Sequence, residues 1–214
     1  HDALPISHPG LMRRGEAASD ETACQIDDLA RLPLPDFQEY FTQLERLPPE
    51  ARFIPGLPVE VSRGCWWRSR GGEERDRGCR FCNLNLQWRG YRAKSPLHAV
   101  RELDALSRNY RSLSISLMDN VVPARGGKTL FEALSRLPKE LQLFGEARAN
   151  MPPGTLEAMA AAGIEDVQVG IEALSTRLLR KIGKGTTALQ NLEVMKQCEA
   201  LGMPRLSGNL ILQF

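Results

Sequence analysis

The chain has 214 residues, 42% hydrophobic and 25% charged, which suits one ordinary globular domain with a substantial core and excludes a disordered or fibrous polymer. Its 28 basic and 26 acidic residues are largely interspersed and leave a net charge of +2, so neither a nucleic-acid partner nor a membrane surface is expected. The odd count of 5 cysteines, unevenly spaced, and the lack of any apolar run near the ~18 residues of a membrane span fit a reducing cytoplasm without disulfides or a secretory signal.

Residues 1–7 read HDALPIS, which is what the end of a common sequencing adapter encodes in one frame, so they are set aside as an artefact. Residues 8–55 carry clustered prolines (Pro33, Pro35, Pro48, Pro49, Pro55) around one amphipathic stretch, Phe37 to Leu47. This predicts a linker with a short helix, the remnant of an upstream domain. From about residue 56 onward, short apolar runs alternate with helical patterns, the signature of a parallel sheet with crossover helices.

The first strand is expected near Leu57 to Ser62. A helix then starts with Ser95 as cap and Pro96 in its first turn, and Leu97, Val100, Leu103, Leu106 and Tyr110 mark its buried stripe. A second strand, Leu113 to Met118, precedes a helix at about Thr129 to Leu137. A third, Leu141 to Gly145, precedes Thr155 to Ala162, which Gly163 stops. The fourth spans about Asp166 to Ile171, with helices near Thr176 to Ile182 and Ala188 to Leu201 after it, and the last runs from Arg205 to Phe214. An apolar final strand leaves an unpaired edge, so a continuation beyond Phe214 is expected.

Between the first strand and the first long helix lie Cys65, Cys79 and Cys82. The two-residue spacing of Cys79 and Cys82 lets both thiolates reach one metal centre, and Cys65 adds a third. Four thiolates close the shell of a four-iron cluster, so a set of three leaves one position for a reactant. The bland alternative is a structural zinc site, which needs a fourth ligand such as His98, Cys24 or Cys198. Cys198 sits on a helix face and reads better as a small buried residue.

Ligands of parallel sheets and barrels bind at the carboxyl ends of the strands. The polar residues falling there are Cys65, Asp119, Asn120, Glu146, Arg148, Asn150, Glu172 and Asn209. Trp66 and Trp67 either shield a bound group or contribute buried area. Trp88 and Tyr91, set among Arg89, Arg92 and Lys94, lack a wider basic field and read as local packing. The Gly-Lys-Gly of residues 183–185 lacks the spacing of a phosphate loop and reads as a helix-terminating turn.

Three cysteines after the first strand, the last pair enclosing an aromatic, resemble the radical SAM superfamily over about residues 57–214. The strings RGCWW, FCNLN, YRAKSP, MDN, GEARAN, QVGIEALS, KGTTALQN and GNLI resemble the RiPP maturation radical SAM C-methyltransferases. That resemblance implies an incomplete (β/α)6 partial TIM barrel with parallel strands, truncated at both ends and preceded by a cobalamin-binding domain. It implies that Cys65, Cys79 and Cys82 hold a [4Fe-4S] cluster whose open iron is chelated by S-adenosylmethionine. One electron, from a flavodoxin or ferredoxin-type reductant, then yields a 5'-deoxyadenosyl radical, and methylcobalamin supplies a methyl group to a carbon of a peptide substrate.

By position, the resemblance places Phe81 near the adenine, and sets Asp119 and Asn120 where a glycine-rich segment commonly meets the methionyl amine. Glu146 and Glu172 bond the ribose or the amine, Arg180 pairs with the carboxylate and Asn209 reaches the ribose hydroxyls. The 13 residues between Cys65 and Cys79 exceed the family's spacing, and their glycines and charges read as a solvated excursion. Cyclisation or epimerisation of a substrate remains the nearest alternative reaction.

Overall fold

The structure is a computed structural model that describes residues 25–67, 78–84 and 90–212. The expectations for residues 1–24, the excursion between Trp67 and Gly78, and Trp88 lie outside the described residues. In chain order the elements are α1 (Gln38–Arg46), β1 (Leu57–Val59), β2 (Ser62–Arg63), β3 (Arg92–Ala93), α2 (Pro96–Tyr110), β4 (Ser114–Leu117), α3 (Gly127–Leu134), β5 (Gln142–Ala147), α4 (Thr155–Ala161), β6 (Ile164–Val169), α5 (Thr176–Lys181), α6 (Ala188–Leu201) and β7 (Arg205–Ser207).

Five strands form one parallel sheet in the order β1-β4-β5-β6-β7, as the alternation of apolar runs and helical patterns predicts. The register sets Leu57 beside Ile115, Ser116 beside Phe144 and Val167 beside both Gly145 and Leu206. Successive strand residues point to opposite faces. One face, carrying Ile115, Leu117, Leu143, Val167 and Val169, is buried with Leu103, Leu106, Phe131, Leu134 and Met159 of α2, α3 and α4. The other carries half-buried Ser114, Ser116, Phe144, Glu146 and Gln168. A polar inner face belongs to a sheet that curves around a site, not to one packed on both sides.

Several boundaries depart from the sequence reading. The first parallel strand stops at Val59, and Ser62 and Arg63 turn away to pair antiparallel with Ala93 and Arg92. This small ladder brings the two ends of the cysteine segment together. Leu97 is 59% exposed and leaves the buried stripe of α2, where Glu102 is buried instead. Its carboxylate lies 2.5 Å from Lys94 Nζ and 3.2 Å from His98 Nε2, and this pairing offsets the desolvation of an inward-facing charge. The last strand keeps three residues, followed by an isolated parallel bridge between Glu172 and Leu210.

The caps follow the sequence closely. Ser95 Oγ accepts from His98 N, and Thr187 with Gln190 forms a reciprocal capping box on α6. At Gly163 (φ +88°) a β-carbon would fall on the Leu141 carbonyl oxygen, so only glycine lets α4 turn directly into β6. Phe37 and Phe41 pack on Tyr110 at ring separations of 5.5 and 5.1 Å, and the Tyr110 hydroxyl donates to Asp36. The segment around α1 is thereby docked on the end of α2. Among the described residues no helix is long and apolar enough to cross a membrane.

Candidate functional site

The cysteine segment leaves the β2 end of the small ladder and is fastened to the loop after β4 and to the turn after α5. Cys65, Cys79 and Cys82 are all half-buried. Cys82 N donates to the Cys79 carbonyl (3.1 Å), closing a tight turn, and Leu84 N donates to Cys82 Sγ (3.4 Å), which orients that sulfur. Trp66 Nε1 donates to the Val122 carbonyl (3.1 Å) in the loop after β4. Trp67 Nε1 donates to the Gly183 carbonyl (2.9 Å), and Arg80 N to the Ile182 carbonyl (2.8 Å). The turn after α5 is therefore the seat of the cysteine segment.

Two glycines make that seat possible. A β-carbon on Gly183 would press on the Gly78 carbonyl, and one on Gly185 (φ +72°) would overlap the Trp67 indole. The Gly-Lys-Gly triplet does end a helix, as its composition predicts, and it also carries the cysteine segment on its surface.

Arg148, one residue past β5, lies under this seat and is only 4% exposed. Its guanidinium carbon stands 4.8 Å from the Trp67 ring centroid and 5.4 Å from that of Trp66, within the range of cation–π attraction. Nη2 donates to the Lys184 carbonyl, and Nε to Asn150 Oδ1 at 3.2 Å. The same guanidinium faces Cys79, Cys65 and Glu172, whose negative charge favours its charged form against burial. Burial pushes the Cys79 thiol up, while Lys184 and Arg148 pull it down.

Lys184 Nζ meets Glu172 Oε1 at 2.9 Å. Glu172 adopts φ +60°, uncommon for a residue with a side chain, and is held there from several sides. Its N–H donates to the Asn209 carbonyl, its carbonyl accepts from Ile211 N, and fully buried Asn191 donates to the carbonyls of Ile171 (2.8 Å) and Ala173 (2.9 Å) on either side.

Of the residues singled out by sequence, the structure brings Cys65, Cys79 and Glu172 together through Arg148 and Lys184. Glu146 is half-buried near the end of β5; burial raises its carboxyl, and its carbonyl accepts from Val122 N beside the Trp66 anchor. Phe81, Asn120, Arg180 and Asn209 have exposed side chains, and Asn209 contributes its backbone carbonyl. Asp119 is buried with Oδ2 accepting from Val61 N (3.2 Å), which ties the loop after β4 to the turn after β1. Sequence reasoning missed Lys184 and Asn191, although a lysine between two glycines and an asparagine in the first turn of a capped helix were both visible.

Asp119 gives the fold a pH dependence. Burial, the largest cause, with Glu60 adding to it, pushes its carboxyl up to about 6 from 3.8, against the lowering hydrogen bonds from Ser62 and Val61. A folded-state value above the unfolded one means the folded chain holds the proton more tightly. Stability is then fully present below about pH 4 and falls as pH rises to about 6, by roughly 3 kcal/mol. Asp119→Asn keeps an acceptor for Val61 and is expected to flatten that slope, raising the melting temperature at pH 8 but not at pH 4. Equal gains at both values would place the effect elsewhere.

Among the described residues no group of three or more His, Cys, Asp or Glu side chains closes around one ion position. A cluster distributes its thiolates over separate irons, so the donors it needs are spaced sulfurs with a compensating charge. Three cysteines, an N–H on Cys82 and a buried guanidinium against Cys79 fit that description.

Comparison with known proteins adds independent lines. The model of the Radical SAM superfamily matches residues 59–213. An uncharacterized methyltransferase of Pyrococcus horikoshii is 25% identical over 210 residues, covering 94% of this chain and 41% of the relative. The hopanoid C-3 methylase of Methylococcus capsulatus is 26% identical over 155 residues, 70% of this chain and 27% of the methylase. The structure of the cobalamin-dependent S-adenosylmethionine radical enzyme OxsB with aqua-cobalamin bound shares the fold, with TM-score 0.66 and 22% identity over 89% of this chain and 27% of OxsB. The chain thus spans less than half the length of each.

Proposed function

The chain belongs to the radical SAM superfamily, whose members imply a [4Fe-4S] cluster and S-adenosylmethionine, and from that premise we propose that it is the catalytic core of a cobalamin-dependent C-methyltransferase acting on a ribosomally made peptide. The observation that carries the proposal is the joining of the cysteine segment to the carboxyl ends of β5 and β6 through Arg148, Lys184 and Glu172. When bound, the cluster supplies the electron that splits S-adenosylmethionine into methionine and a 5'-deoxyadenosyl radical.

The residues of the chain bind and orient. Cys65, Cys79 and Cys82 would hold the cluster, whose remaining iron would be open to S-adenosylmethionine. Glu172, fixed in its left-handed conformation, presents a carboxylate toward the ligand's amine or ribose, with Lys184 holding its charge and position. Glu146 on the polar sheet face is a second carboxyl group for the same ligand, its pKa raised by burial. Phe81, exposed beside Cys82, offers an apolar surface to an adenine. Asp119, Asn120, Arg180 and Asn209 complete the proposed ligand set. Trp66 and Trp67, anchored on the Val122 and Gly183 carbonyls, would shield a cluster bound beside them from water.

The methylase and the methyltransferase among the relatives support methyl transfer. OxsB is itself described as cobalamin-dependent, which supports a cobalamin, held by a domain outside this chain. A flavodoxin or ferredoxin-type protein is the proposed electron donor, in a cytoplasmic setting.

The test is anaerobic reconstitution with iron and sulfide. A brown chromophore with an absorbance shoulder in the visible blue is expected, and 5'-deoxyadenosine should form when dithionite and S-adenosylmethionine are added. A preparation that instead carries one tight zinc ion and no chromophore would identify a zinc-binding module.

A further inference from the structure

The guanidinium of Arg148 is a buried cation, and a buried charge is tolerated only where something answers it. Its neighbours are few. Two indole faces contribute quadrupole attraction, and two oxygen acceptors, on Lys184 and Asn150, take two of its donors. Glu172 is the nearby carboxylate, but its Oε1 is engaged by Lys184 Nζ at 2.9 Å. Within this trio Lys184 shares its charge between Glu172 and Cys79, while the guanidinium, in no salt bridge among the described residues, faces the Cys79 and Cys65 sulfurs.

We propose that Arg148 is a positioning residue that sets the reduction potential of the cluster held by Cys65, Cys79 and Cys82, acting through a buried charge held against the two indoles that follow Cys65. The inference rests on the cluster reading given above. Reduction adds one electron, drawn from an external reductant, to the cluster and raises its negative charge by one. No bond is made or broken and no proton moves. A fixed cation nearby stabilises the reduced form more than the oxidised one, and the effect persists because the site excludes most water around the guanidinium. The indoles matter in a second way. Stacked on both, the guanidinium cannot swing out to solvent, so its charge stays aimed at the sulfurs.

The experiment is a redox titration of the reconstituted 214-residue chain, followed by the electron paramagnetic resonance signal of the reduced cluster, in wild type, Arg148→Gln, Arg148→Met and Arg148→Lys. Gln retains a donor for the Lys184 carbonyl without the charge, Met retains much of the length alone, and Lys retains the charge without the fork. Loss of the charge is expected to lower the equilibrium constant for reduction about tenfold, a fall of about 59 mV for one electron. Gln and Met should show it alike, and Lys should stay near wild type. Iron and sulfide content per chain is measured on each sample. Where Met fails to load, Gln decides. A loaded neutral variant with an unshifted midpoint overturns the inference while leaving the cluster reading intact. A Lys variant that shifts as far as Gln overturns it too, because the effect would then come from lost geometry. Wild type that takes up no iron overturns both.

Discussion

Cys82→Ala is expected to abolish reductive cleavage of S-adenosylmethionine, with 5'-deoxyadenosine falling more than about a hundredfold, because loss of a ligand exceeds the 10–100-fold cost typical of disturbing a ligand's surroundings. The thiol sits at the end of the Cys79–Cys82 turn and accepts the Leu84 N–H, so an alanine removes both an iron donor and the contact that orients it. The fold gives the prediction its contrast. Cys82 is half-buried and outside the main apolar cluster, so the truncation should cost no more than about 1 kcal/mol of stability. Cys198→Ala provides the matching control, since that thiol lies on the buried face of α6 within the main apolar cluster. It should lower the melting temperature by a few degrees and leave cleavage unchanged. Intact cleavage in Cys82→Ala, measured by chromatography of the nucleoside after dithionite addition, would remove Cys82 from the cluster and with it the three-thiolate reading.

What was legible in the sequence were the features fixed by local chemistry. The period of apolar residues places the start of each parallel strand within two residues, although the last strand stops at Ser207. Ser95 with Pro96, and Thr187 three residues before Gln190, mark the starts of α2 and α6 because a cap acts within one turn. The strand-end rule selects Glu172 and the cysteines without any knowledge of contacts. Features that depend on a distant partner were not legible. Glu102 is inward-facing only because Lys94 stands opposite, whereas Leu97 in the first turn finds nothing to pack on. The two-residue strands β2 and β3 are too short to carry a period, yet they decide where the cysteine segment begins and ends. Arg148 is the clearest case: arginines are mostly exposed, and its burial follows from two indoles about eighty residues earlier in the chain, directly after Cys65.

Gly185→Ala is expected to cut cluster loading about tenfold while the folded core survives, the fall lying within the range for disturbing what surrounds a ligand. Two effects must be separated in that result. Any residue with a side chain at φ +72° carries a backbone cost of about 1–2 kcal/mol, which in a chain of this size lowers the melting temperature by roughly 2–8 °C. Gly202, at φ +69° after α6, has nothing within 4 Å of where a β-carbon would stand, so Gly202→Ala meets the same backbone cost without a collision. At Gly185 the new methyl also overlaps the Trp67 indole, whose N–H is anchored on the Gly183 carbonyl and whose face covers Arg148. The ring must leave, and the cation beneath it loses a wall of its site. Comparable melting temperatures for the two variants, with iron content reduced only in Gly185→Ala, are the expected pair of measurements. Equal iron content in both would mean that the cysteine segment holds its irons without the seat after α5, and that the contact between Trp67 and this turn serves packing alone.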